Sequence, residues 1–105
     1  MRFVETPVFT RAVRRLLSDD DYRALQLALA LRPEQGAVIK GSGGLRKVRW
    51  GAGGRGKSGG IRVIYYWEQQ LQAFYMLFAY PKNEQEDLTR DQLRLLSRIV
   101  REEFR

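Results

Sequence analysis

Three runs rich in β-branched and aromatic residues, 45–50, 61–67 and 72–80, stand between glycine-containing segments and Pro81, and they constrain the fold more than any other feature of this chain. Such side chains favour the half-buried, pleated surface of a sheet, and glycine and proline mark its turns. The short link between the last two runs leaves room only for an antiparallel return. The centre of the chain is therefore predicted to be an antiparallel meander, with residues 3–5 as a further short edge strand.

The flanks read as helices. After Pro7, the spacing of Val8, Val13, Leu16 and Leu17 suits a first amphipathic helix. Ser18 with Asp21 three residues later has the form of a capping box, and Asp19, Asp20 and Asp21 favour the positive end of a second helix. Tyr22, Leu25 and Leu29 supply its buried stripe, and Pro33 stops it. Near the C-terminus, Thr89 is an N-cap with Gln92 at N3, Leu88 can staple against Leu93, and Leu93, Leu96 and Val100 form a core stripe. Arg90, Arg94, Arg98, Arg101 and Arg105 recur along another face, which suits a solvated surface as well as one that meets ribosomal RNA or an acidic partner. The expected fold is α+β: one domain over residues 1–105, with a small antiparallel sheet of three to four strands packed with two N-terminal helices and a C-terminal helix.

Charge narrows the function. Between residues 35 and 67 there are seven basic residues (Lys40, Arg46, Lys47, Arg49, Arg55, Lys57, Arg62) and no acid, whereas the rest of the chain balances twelve basic against twelve acidic residues. The entire excess of +7 thus lies in one segment, with Trp50, Tyr65, Tyr66 and Trp67 close by. Cations interleaved with aromatics are the footprint of a nucleic-acid binder. The absence of cysteine and histidine removes disulfides and the usual ligands of transition metals. Two acidic clusters, Asp19/Asp20/Asp21 and Glu84/Glu86/Asp87, are the remaining oxygen donors, but acids at a helix start need only the helix dipole to explain them. No metal or other cofactor is expected. The longest apolar stretches fall far short of the ~20 residues needed to span a bilayer, and the first seven residues do not read as a secretory leader. A cytoplasmic location is expected.

One motif misleads. Gly51-Ala52-Gly53-Gly54-Arg55-Gly56-Lys57-Ser58 spells the nucleotide-binding P-loop in full. A P-loop hands its phosphate to the start of a helix, and here Ile61-Arg62-Val63-Ile64-Tyr65-Tyr66 follows, which reads as a strand. The segment is instead expected to be a glycine-rich hairpin tip that brings Arg55 and Lys57 to a phosphate chain.

RNA cleavage is a reaction that lysine, arginine, tyrosine and carboxylates can run without a metal. The 2′-hydroxyl is a nucleophile built into the substrate, so a protein must supply a base, cations for the phosphorane and an acid for the leaving oxygen. Alternation along strands puts Lys47 with Arg49, and Arg62 with Ile64 and Tyr66. Lys47 or Lys82, crowded by arginines, is a candidate base, and Arg62 can clamp the phosphate in a bidentate fork.

The ordered set Gly43-Gly44-Leu45-Arg46-Lys47-Val48-Arg49, Lys57-Ser58-Gly59-Gly60-Ile61-Arg62-Val63-Ile64-Tyr65-Tyr66, Tyr80-Pro81-Lys82-Asn83-Glu84 and Asp87-Leu88-Thr89 resembles the RelE/ParE toxin superfamily in its HigB-like branch, over nearly the whole chain. The resemblance implies a ribosome-dependent endoribonuclease that cuts messenger RNA in the decoding site and so inhibits translation. It also implies a cognate antitoxin from an adjacent gene, with operator DNA met only through that partner. Lys47 and Arg49 match the basic pair on a central strand of such toxins, Arg62 matches the arginine of their G-x-R-hydrophobic-hydrophobic-Tyr strand, and Lys82 matches a lysine after the last strand. Arg46, Arg55, Lys57, Tyr66, Tyr80 and Asn83 are candidate RNA contacts. RelE-type enzymes carry an arginine where this chain has Asn83, and a tyrosine near Thr89. The general acid stays open among Tyr66, Tyr80 and Lys82. A gyrase-directed, ParE-like toxin without nuclease activity and a plain RNA-binding module are the alternative readings.

Overall fold

A computed structural model describes residues 1–51 and 60–103. The glycine-rich segment with Arg55 and Lys57, and also Arg105, lie outside the described residues. The element order is β1 (Arg2–Glu5), α1 (Pro7–Leu16), α2 (Asp19–Leu31), β2 (Ala37–Val38), β3 (Arg46–Trp50), β4 (Ile61–Glu68), β5 (Ala73–Pro81) and α3 (Arg90–Glu103).

The three predicted strands are present, and β3, β4 and β5 form the expected antiparallel meander. The sheet, however, has five strands in the order β1-β5-β4-β3-β2, and it is mixed. β1 runs parallel to β5, with Arg2 opposite Ala73 and Glu5 opposite Met76. A strand of four residues carries no mark of its partner's direction, which is why the sheet read as purely antiparallel. The second addition, β2, is two residues long and pairs Ala37 with Lys47. It is too short to show a period.

The helices begin where their caps require. Thr6 Oγ1 accepts from Phe9 N at 3.0 Å with Pro7 as the first helical residue, and Ser18 Oγ accepts from Asp21 N at 3.1 Å. At α3 the capping box is reciprocal: Gln92 N donates to Thr89 Oγ1 at 3.1 Å and Thr89 N donates to Gln92 Oε1 at 2.9 Å. In α1 the buried stripe is Phe9, Ala12 and Val13, and Val8 is exposed. The apolar spacing alone had placed Val8 inside.

Alternation along the strands separates two cores. Val48, Ile61, Val63, Tyr65, Phe74 and Met76 face α1 and α2, which contribute Phe9, Val13, Leu25 and Leu29. Ile64, Leu77 and Tyr80 face α3, which contributes Leu96 and Val100. Between Ile64 and Tyr65 the register slips: Ile64 pairs with Phe78 and Tyr65 with Met76, so β5 holds one extra residue, Leu77. The bulge lets Leu77 and Phe78 both join the α3-side core. The Leu77 carbonyl accepts from the Thr6 hydroxyl at 2.9 Å, which ties the start of α1 to the bulge.

Two contacts hold the connection from α2 to β2. Tyr65 Oη donates to Pro33 O at 2.7 Å and accepts from Gly36 N at 3.0 Å, and Arg46 Nη1 donates to Glu34 O and Gly36 O at 2.9 and 2.8 Å. Gly60, at the start of β4, is required by space. A Cβ there would lie 2.1 Å from Trp50 O.

Candidate active site

The register places the predicted cations on one face. Arg49 lies opposite Arg62, and Lys47 lies opposite Ile64. Directly opposite pairs share a side of the sheet, so Lys47, Arg49 and Arg62 all project toward the α3 side. Across the other neighbour, Arg62 faces Tyr80 of β5. Arg49 is exposed and Lys47 half-buried, whereas Arg62 is only 6% exposed.

That burial departs from the open strand position that the sequence suggests. β4 is the central strand, covered on both faces, so alternation alone could not show how deep Arg62 lies. Among the described residues no carboxylate stands within ion-pair distance of its guanidinium, and the hydrogen bond it makes there is a long donation of 3.5 Å to Ile61 O. A buried cation so weakly held is costly by itself. It is well placed to gain from an incoming anion.

Lys47 is committed differently. Its ammonium donates to Asp87 Oδ1 at 2.5 Å, and that hydrogen bond, then the charge of Lys47, with a smaller contribution from Arg62, holds the Asp87 carboxyl below its ordinary value. Asp87 is thus an exposed carboxylate at neutral pH, held beside Lys47. Lys47 and Asp87 stand together at the site as an ion pair. Sequence reasoning missed this pairing. Asp87 stood only in an acidic cluster and in the family motif, and the pairing spans 40 residues.

Tyr80 completes the group. It is buried, and burial, followed by the negative charge of Asp87, raises its hydroxyl pKa, with Arg62 acting in the opposite sense. Its hydroxyl therefore keeps its proton at neutral pH and donates to Glu86 O at 3.4 Å. Tyr66 lies four residues from Arg62 along β4, roughly 13 Å away. It packs in the α3-side core next to Gly44.

The other candidates are not gathered here. Arg46 lies on the opposite face, where it bridges to Glu34 Oε2 at 3.2 Å and braces the loop described above. Lys82 and Asn83 are exposed in the turn after β5, and Lys82 N donates to Gly60 O at 3.2 Å. Among the described residues no helix is long and apolar enough to cross a membrane.

Comparison with known proteins agrees with this fold. The fold is similar to that of the isolated E. coli RelE toxin in a crystal structure, with a TM-score of 0.58 at 13% identity, covering 92% of this chain and 96% of that one. It is also similar to an arginine double mutant of E. coli RelE in the free state, with a TM-score of 0.56 at 13% identity, covering 80% and 85%. The family model described as the RelE toxin of the RelE/RelB toxin–antitoxin system matches residues 1–104. With that match over residues 1–104, the chain belongs to the RelE toxin family.

Proposed function

We propose that this toxin is a metal-independent endoribonuclease that cuts messenger RNA on the ribosome. The observation that carries the reading is Arg62, a buried guanidinium with no carboxylate partner among the described residues, facing Tyr80 and sharing its side of the sheet with the Lys47–Asp87 pair. In this reading Asp87 takes the proton of the 2′-hydroxyl, and the 2′-oxygen forms a bond to the adjacent phosphorus. Arg62 and Lys47, with Arg49 at the rim, carry the charge of the phosphorane. The bond to the 5′-oxygen breaks, and Tyr80 gives that oxygen its proton. The products are a 2′,3′-cyclic phosphate and a 5′-hydroxyl. The ribosome supplies what a flat, open site lacks, a messenger strand held in a reactive geometry. A cognate antitoxin silences such a toxin by covering or distorting this face.

The experiment is primer extension on messenger RNA translated in a reconstituted system. Wild-type protein is expected to cut ribosome-bound messenger, to leave the naked transcript intact and to yield cyclic-phosphate ends, while Arg62→Ala does none of this. Arrest of replication with messenger intact would overturn the nuclease and favour a gyrase-directed toxin.

A further inference from the structure

The arginines of α3 divide from its apolar residues by rotation about the helix axis. Leu95 and Ile99 line an apolar groove against Pro7, Val8 and Phe78, and Glu103 lines the neighbouring hollow beside Val4 and Tyr75. On the opposite flank, Arg90, Arg94 and Arg101 border a separate cleft of about 220 Å³ with Gly41, Leu93 and Ser97, and no acidic residue lines it. None of the three arginines has an ion-pair partner among the described residues.

The other wall of the cleft is built rigidly. Residues 39–45 form a tight turn in which Ile39 N donates to Leu45 O at 2.8 Å and Leu45 N donates to Ser42 Oγ at 3.0 Å. Gly41, Gly43 and Gly44 take positive φ angles of 73°, 77° and 105°, which side chains would resist. Ser97 Oγ, buried on α3, donates to Ser42 O at 2.9 Å and fixes the turn against the helix. Nothing lies within 4 Å of a Cβ built on Gly41, so the backbone there is open to a ligand.

From these observations we infer that this cleft is a second RNA site, which grips the sugar–phosphate backbone of an RNA strand away from the bond that is cut. Three guanidiniums spread over about 16 Å of helix match a repeating polyanion better than a single small anion. An acidic protein segment fits less well, because protein interfaces need an apolar centre and the exposed apolar residues of α3 lie on its other flank. The cleft begins close in sequence to the proposed reaction centre: Arg90 follows Thr89 directly and lies three residues from Asp87. The choice of RNA rests on the nuclease reading above. The cleft itself does not.

The test is fluorescence anisotropy of a short 2′-O-methyl RNA, which cannot be cut through its 2′-oxygen, titrated with the full chain over a series of salt concentrations. The triple variant Arg90→Gln/Arg94→Gln/Arg101→Gln is expected to lose at least tenfold in affinity. Its slope of log affinity against log salt should flatten by about 2, near 0.7 for each lost phosphate contact on a single strand. Arg98→Gln, on the same helix but outside the cleft, should change affinity less than twofold. Unfolding curves of the exposed-site variants should overlay that of the wild type. Equal affinity and slope in the triple variant and the wild type would overturn the site, as would a triple variant that keeps RNA but loses its antitoxin. If wild-type protein fails to cut ribosome-bound messenger while the triple variant still loses RNA affinity, the nuclease reading falls and the cleft stands.

Discussion

Val63 and Arg62 are neighbours on the central strand, both almost fully buried, and they belong to opposite worlds. Val63 points into the core under α1 and α2, where Phe9, Leu25, Leu29, Phe74 and Met76 lie fully shielded and add stability through apolar contact. Arg62 points to the face that α3 only partly covers, where the core is smaller and gives way to Lys47, Arg49, Tyr80 and Asp87. One face is closed and stabilising. On the other, Arg62 has no ion-pair partner among the described residues. Because both stand on the same rigid strand, the packing of the first face fixes the position of the second.

The largest expected effect breaks the closed face. Phe9→Ala empties a fully buried ring site and should cost about 3–5 kcal/mol of stability. Urea denaturation will read this loss, while cleavage per folded molecule should stay at the wild-type level. A fall in that specific activity would show that the two faces are not separable.

Next comes the open face. Arg62→Met is expected to lower cleavage on the order of 10²–10³-fold, about 2.7–4 kcal/mol of transition-state stabilisation. It should leave thermal stability equal or higher, because it removes a buried charge with no ion-pair partner among the described residues. If Tm instead drops by more than the ~4–8 °C that corresponds to 1 kcal/mol in a domain of this size, Arg62 is structural.

Asp87→Asn sharpens the mechanism on the same face. Loss of the proposed base should cost on the order of 10² in rate. The wild-type carboxyl is held below its ordinary value by Lys47, so activity should persist into mildly acid solution and fade only as pH falls through that lowered value. In Asp87→Asn this acid limb should vanish. A limb that survives would assign it to another group.

The smallest effect returns to the closed side. Tyr22 Oη donates to Glu5 Oε2 at 2.7 Å, and burial, then that hydrogen bond and the Glu5 charge, raise the phenol far above its usual range. The neutral phenol therefore adds stability that is fully present below about pH 10, the ordinary tyrosine value, and is lost as pH rises above it. Tyr22→Phe should cost about 1–2 kcal/mol at neutral pH and flatten the decline of Tm in alkali. A wild-type Tm that does not fall there would show that the Glu5 contact contributes little.

Local features were legible. The cap at Ser18, the reciprocal box of Thr89 with Gln92, and the three main strands each depend on residues within one turn or one strand, and each stands within a residue or so of its expected place. Less was legible where a short apolar set was ambiguous: Val8 and Phe9 are adjacent, and only the direction of the helix against β5 decides that Phe9 is inside. The cations of the site were visible as residue types. Which of them meet was not, since Arg46 and Lys47 are neighbours that alternation sends to opposite faces, one to brace a loop and one to hold Asp87.

Composition and local period, by themselves, determined an α+β chain with a cationic central segment and no cysteine or histidine, because propensity, capping and strand alternation act over a few residues. Tertiary structure alone decided that β1 runs parallel to β5, that Arg62 is buried in the middle strand, and that Lys47 finds a carboxylate 40 residues away. Those outcomes depend on how a folded sheet is ordered and what covers it. The energy of a pairing between distant residues is written in neither residue alone.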